Sequence, residues 1–174
     1  MEDRVHWRRL PLAGRRRRRW TQPRRPDRVL LSRDRQHARD GAAHPGLGSQ
    51  CANTEHDSTG EYLDGARDYA LTLPPGVPAK DFWSIVVYDP QTRSELQTGQ
   101  PFPSKNNTRD PLAANTDGSI TLTFGPTERD EKPGNWIQTV SGKKWFTILR
   151  LYGPLAPWFD KTWVPGEIEP LDAE

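Results

Sequence analysis

Cysteine is all but missing from this chain of 174 residues: Cys51 stands alone, so no internal disulfide can form. A single thiol near a domain edge reads as a small space-filler and tells nothing of the redox compartment. No apolar run approaches the roughly 18 residues that a membrane-crossing helix needs, and the basic N-terminus lacks the apolar stretch of a secretory signal. The expectation for the chain as written is therefore cytoplasmic, with no membrane span. Histidine is scarce as well. His6, His37 and His44 lie in the N-terminal quarter, only His56 lies beyond it, and no H-x-H or H-x-x-x-H spacing falls near an acidic partner. No metal or other cofactor is expected. A Gly-x-Ser-x-Gly elbow, a phosphate-binding loop and a dinucleotide fingerprint are all absent, which removes the simplest sequence support for hydrolase, kinase and dehydrogenase chemistry.

Lysine is missing from one region only, and there the composition changes abruptly. Residues 1–40 hold 14 of the 19 arginines and no lysine, against Glu2, Asp3, Asp27, Asp34 and Asp40, for a local charge of 14 − 5 = +9. Residues 41–174 carry 11 Lys and Arg against 18 Asp and Glu, for −7, so the overall +2 describes neither part. The run Arg15–Arg19 followed by Trp20, Arg24 and Arg25 would repel itself in a compact state and keeps no helical or strand period, so residues 1–45 are expected to be a disordered head. An arginine-only composition is what a GC-rich reading frame gives when translated out of phase, and that reading is preferred to a solvated tail. A nucleic-acid arm is the third reading: guanidinium groups pair with phosphates, and Trp7 or Trp20 would stack on bases.

From Gly46 onward the punctuation is that of an all-β fold, with Gly, Pro, Asn and Asp clusters between short runs of β-branched and aromatic residues. Tyr69–Leu73 reads as a strand ended by Pro74-Pro75-Gly76. Phe82–Tyr88 is apolar on both alternating faces, as in a central strand covered on both sides. Residues 91–116 are polar, with prolines at 101, 103 and 111, and read as one long loop, a feature usually functional or mobile. Asn115–Gly118 closes it with a hairpin-type turn. Ser119–Phe124 then alternates, with Ile120, Leu122 and Phe124 on one face and hydroxyls on the other. Asn135–Val140 and Trp145–Tyr152, joined by a tight turn at Ser141–Lys144, read as a hairpin. Pro154 to Trp163 has room for one short helix with Pro157 in its first turn. The sum is a jelly-roll-like β-sandwich with one or two short helices over residues 46–171, followed by a tail at 172–174.

These residues carry a resemblance. Gly46-Leu47-Gly48-Ser49-Gln50, Tyr62-Leu63-Asp64-Gly65, Phe82-Trp83-Ser84 with Tyr88-Asp89, Asp117-Gly118-Ser119, Gly125-Pro126, Asn135-Trp136 and Arg150–Pro154 followed by Trp163 are similar to the bacterial family called domain of unknown function 1214. In that family the domain commonly sits C-terminal to a partner called domain of unknown function 1254. The resemblance implies a jelly-roll-like sandwich and no established activity. Cys51 stands where members usually have an aromatic, and the arginine-rich head replaces a regular upstream domain. The chain is thus expected to be a truncated C-terminal fragment of a two-domain protein.

The positions worth testing are Arg150, Tyr152, Trp83, Tyr88, Asp89, Asp117 and Trp136. Arg150 alternates with Phe146, Ile148 and Tyr152. If that face is internal, its charge needs a carboxylate or backbone carbonyls, with Asp89, Asp117 and Asp160 as candidate carboxylates. A structural ion pair is the expected use; an anion-binding arginine is the functional one. Trp83, Trp136, Trp145, Trp158 and Trp163 would form either a ring-binding platform or, as expected here, mostly core with one or two at a surface or partner interface. Asp57, Glu61, Asp64, Asp89 and Asp117 supply enough carboxylates for a glycosidase-like pair, but turn aspartates already have a backbone role. The expected function is a non-catalytic binding or assembly module, joined to a partner domain or to a second copy through exposed aromatics. The alternatives are a hydrolase on a carbohydrate or ester, with its cleft under the 91–116 loop, and nucleic-acid association through the head.

Overall fold

The structure is a computed structural model that describes residues 44–128 and 133–171, together with the backbone of Arg8 and Arg9. Among the described residues nine strands make two sheets: β1 (Arg8–Arg9), β2 (Ser49–Thr54), β3 (Tyr69–Leu73), β4 (Ala79–Tyr88), β5 (Ser104–Asn106), β6 (Ile120–Gly125), β7 (Trp136–Gln138), β8 (Phe146–Pro154) and β9 (Ile168–Pro170). A five-stranded sheet runs β1-β2-β8-β4-β5 and a four-stranded sheet runs β7-β6-β3-β9. The expected all-β architecture is present. One short helix, α1 (Ala156–Asp160), follows β8; it admits Pro157 in its first turn, where no backbone donor is lost, and ends at Lys161 with φ 65°.

Alternation explains the layers. Leu71 and Leu73 of β3, Trp83, Ile85 and Val87 of β4, Leu122 and Phe124 of β6, and Leu149 and Leu151 of β8 all turn inward into one core shared by both sheets. Of the five domain tryptophans, Trp83, Trp145, Trp158 and Trp163 are buried and Trp136 is half-buried. The outward residues differ between the sheets. On the four-stranded sheet they include Ala70, Thr72, Thr121, Thr123 and Glu169, with Thr72 and Thr121 hydrogen-bonded at 3.0 Å. On the five-stranded sheet they include Cys51, Phe82, Ser84, Val86, Tyr88, Arg150 and Tyr152, all half-buried.

Three local expectations are corrected. The run at 135–140 does not form a hairpin with 145–152: β7 pairs parallel to β6, Ile137 opposite Phe124, and β8 lies in the other sheet. The turn at Ser141–Lys144 carries the chain across the sandwich, because Ile137 and Trp145 both bury in the core but from opposite layers. The 91–116 segment is not one loop, since β5 pairs with β4 and Leu96 enters the core. Its second half is clamped by Asn135, whose fully buried amide accepts from Ala113 N–H at 2.9 Å and donates to the carbonyls of Ala113 and Thr121, each at 2.8 Å. Finally, the outer face of β4 is not covered by a second layer of described strands; its residues are half-buried, with Phe82 stacked on Tyr152 and Tyr88 on Phe146 of β8. Of the head, Arg8–Arg9 extend the five-stranded sheet at β2. The expectation of disorder for the rest of residues 1–43 lies outside the described residues, as does that of a tail at 172–174.

Candidate functional site

The seven singled-out residues do not converge. Trp83 points into the core, 3% exposed, which removes it from any surface site. Trp136 lies on β7 in the four-stranded sheet, its indole N–H donating to Gly125 O at 3.1 Å. Asp117 sits in the turn before β6 and accepts from the N–H and hydroxyl of Ser119, at 2.9 and 2.6 Å. Asp89 ends β4. What remains together is Tyr88, Arg150 and Tyr152, on the outer face of the five-stranded sheet.

Register builds this cluster. Arg150, in the middle of β8, has Cys51 of β2 on one side and Ser84 of β4 on the other. Such cross-strand neighbours stand about 5 Å apart, within reach of a long side chain. Arg150 Nη1 donates to the Tyr152 hydroxyl at 3.4 Å. Tyr152 stacks on Phe82, centroids 4.1 Å apart and planes 15° apart. Tyr88 stacks on Phe146 at 5.3 Å, and Arg93 lies over the Phe146 ring, 5.3 Å from its centroid. Hydrogen bonding to Tyr152 is the largest influence on Arg150, outweighs its burial, and together with the Cys51 thiol holds the guanidinium even more firmly protonated than usual. Burial raises the Tyr88 phenol, against the pull of the nearby Arg150 charge.

The expected carboxylate partners of Arg150 are engaged elsewhere. Asp89 takes Lys143 Nζ at 2.9 Å, Asp117 serves Ser119, and Asp160 accepts from the N–H and hydroxyl of Thr162 at 2.9 and 2.7 Å. Among the described residues no ion pair involves Arg150. The structural pair expected for it is not made, because its face is the outer one: Leu149 and Leu151, which alternate with it, are the residues of β8 in the shared core. Of the glycosidase-like carboxylates, Asp57 and Asp64 also accept hydrogen bonds within their own turns, although Asp57 Oδ2 is buried without a partner. Asp57 Oδ1 accepts from Thr59 N–H and hydroxyl and from Glu61 N–H; Asp64 accepts from Ala66 N–H and Lys144. No cluster of three or more metal-ligating side chains occurs among the described residues, and none of their helices is long and apolar enough to cross a membrane.

The best-held carboxylate predicts its own pH dependence. Lys143, then the N–H groups of Gln91 and Thr92 at 2.7 and 3.2 Å, hold the Asp89 carboxyl at about 2, below the usual value near 3.9. A folded-state value under the unfolded one gives stability that is complete above about pH 4 and lost as pH falls toward about 2. The urea midpoint of the wild type is expected to drop across that window, and that of Asp89→Asn to drop less steeply. Parallel curves for the two proteins would show that Asp89 is not the group responsible.

Sequence reasoning missed Phe82, Ser84 and Cys51 as neighbours of Arg150. The alternation of 82–88 already places Phe82, Ser84, Val86 and Tyr88 on one face, but only the register sets that face beside Arg150. Comparison with known proteins fits this fold. The VPA0106 protein from Vibrio parahaemolyticus superposes with a TM-score of 0.61 at 20% identity, over 72% of this chain and 31% of that one. An uncharacterised protein from Burkholderia cenocepacia gives 0.45 at 22% identity, over 77% of this chain and 32% of that one. This chain thus spans about a third of the length of either. No curated protein matches it in sequence. The family model of proteins of unknown function DUF1214 matches residues 48–156, which takes in both sheets from β2 to the start of α1 and the whole Arg150 cluster, and the chain belongs to that family.

Proposed function

We propose that the domain is a non-catalytic binding or assembly module whose working surface is the outer face of the five-stranded sheet. The observation that carries this reading is the contrast between the two outer faces. One is a sheet surface rich in threonine of the usual solvated kind; the other carries the half-buried rings of Phe82, Tyr152 and Tyr88 about an arginine that makes no ion pair among the described residues, with Glu95 bridged to Tyr88 at the edge. Aromatic residues and arginine are the types enriched where proteins make contacts. The hydrolase reading has less support, since the carboxylates it needs are each held in separate turns. Nucleic-acid association rests on the arginine run, which lies outside the described residues.

In this reading residues 46–171 form the module, and it works as one part of a longer protein, C-terminal to a domain of the 1254 family, in the cytoplasm. The 31% coverage of the Vibrio protein supports the longer context. The test places a photo-crosslinking amino acid at Val86, on the proposed face, or at Thr72, on the other, in cells that make the protein. One defined adduct from position 86 with none from 72, its partner peptide or small molecule identified by mass spectrometry, is the expected result. Equal adducts from both positions, or none from 86, would overturn the reading.

A further inference from the structure

We infer that Arg150 is the anchor of a carboxylate-binding subsite, which takes a small organic acid whose flat apolar body lies on the Phe82–Tyr152 pair. This rests on the outer sheet face being the working surface. Four observations carry it. The guanidinium is half-buried on β8, in the middle of the sheet, with no carboxylate among the described residues to neutralise it. The groups around it are the Tyr152 hydroxyl at 3.4 Å, the Cys51 thiol and Ser84 hydroxyl on flanking strands, and the nearby Tyr88 phenol, each able to donate a hydrogen bond. The stacked rings of Phe82 and Tyr152 lie two residues further along β8 and offer an apolar surface beside the guanidinium. The planar guanidinium fork matches a carboxylate in two parallel hydrogen bonds.

Charge selects among anions. Arg150 is the one cation among the residues that the pairing of β2, β8 and β4 brings to this cluster, with Arg8 and Arg9 of β1 on the far side of β2. A lone guanidinium suits a monoanion better than a phosphate dianion, whose second charge would meet no partner. The next cation, Arg93, is already placed over Phe146 at the far end of the face.

The test uses 3-phenylpropionate as probe, with 3-phenylpropanamide as its neutral counterpart, titrated into the full chain and followed by amide chemical shifts. The acid is expected to shift signals of β2, β4 and β8 around Arg150 and to bind about tenfold or more tightly than the amide, as a charge-assisted pair would give. Arg150→Gln should abolish that difference. Arg150→Lys, which keeps the charge and loses the fork, should retain only part of it, and a matching thermal melt establishes that both variants are folded. Equal binding of acid and amide to this face would overturn the carboxylate subsite while leaving the face a binding surface. Acid preference unchanged in a folded Arg150→Gln protein, or no shift of the face by the acid, would overturn the subsite too. The fate of the wider reading in those cases is decided separately by the Val86 cross-link.

Discussion

Replacing Trp145 with alanine is expected to cost the domain about 4 kcal/mol, a large part of the roughly 5–15 kcal/mol that holds a domain of this size together. Trp145 is 1% exposed and precedes β8, at the point where the chain enters the five-stranded sheet. Its ring stacks on Phe124 of β6 with centroids 4.9 Å apart and meets Tyr69 of β3 edge-on at 5.7 Å, so one side chain ties the start of one sheet to two strands of the other. Truncation leaves a cavity that three strands would have to close together. Phenylalanine at this position should cost much less than alanine. It keeps a ring against Phe124, and it removes the indole N–H, a buried donor with no hydrogen-bond partner, whose orphaning itself costs about 1–3 kcal/mol. Urea unfolding followed by far-UV circular dichroism reads both effects. A loss under about 1 kcal/mol for alanine would mean that Trp145 does not join the layers.

The second large effect is expected at Gly65. Its φ is not positive, so alanine meets no backbone penalty there; the obstacle is space. A Cβ would collide with the carbonyl oxygen of Val140 and lie 2.8 Å from its carbon and 2.9 Å from Lys143 O. These are backbone atoms of the crossing turn between β7 and β8. They are held in place by Gly65 N–H donating to Lys143 O at 2.8 Å and by the Thr139 hydroxyl donating to Gly65 O at 2.9 Å. Gly65→Ala must therefore break one strap or move the turn, at about 3 kcal/mol or more. Gly142 is the control, because its reason for being glycine is the opposite one: φ is +82° and nothing lies within 4 Å of its Cβ. Gly142→Ala should cost only about 1–2 kcal/mol, the price of a left-handed alanine. If the two variants melt together, the close approach at Gly65 is not what its sequence position serves.

How far the fold was legible follows from the range of the forces involved. Strands β3, β4, β6 and β8 were readable because side chains alternate along a strand whatever its partner is, and Leu71, Ile85, Leu122 and Leu149 mark the period locally. The partner of β7 was not readable. The short turn at Ser141–Lys144 is the usual sign of a hairpin, and only the core contacts of Ile137 beside Phe124 decide for parallel pairing with β6. β5 was hidden for a related reason: Ser104–Asn106 is polar and short, and forms a strand because the edge of β4 supplies hydrogen bonds, not because its own pattern demands it.

The candidate site divides along the same line. The alternation of Arg150 with Phe146, Ile148 and Tyr152 was correct as a pattern, but a period of two cannot say which face is inside. Asp57, Asp64, Asp89 and Asp117 were recognisable as turn residues, and each accepts hydrogen bonds from the turn it begins. By itself the sequence determined the all-β class, the break in character between the arginine-rich head and the acidic domain, and the positions of the main strands, since these rest on local pattern and composition, and its motifs carried the resemblance to the family. Only the tertiary structure decided that Cys51, Ser84 and Phe82 stand beside Arg150 and Tyr152 and that no carboxylate among the described residues joins them. Neighbours across a sheet are fixed by the register of chains distant in sequence, and no local rule contains that information.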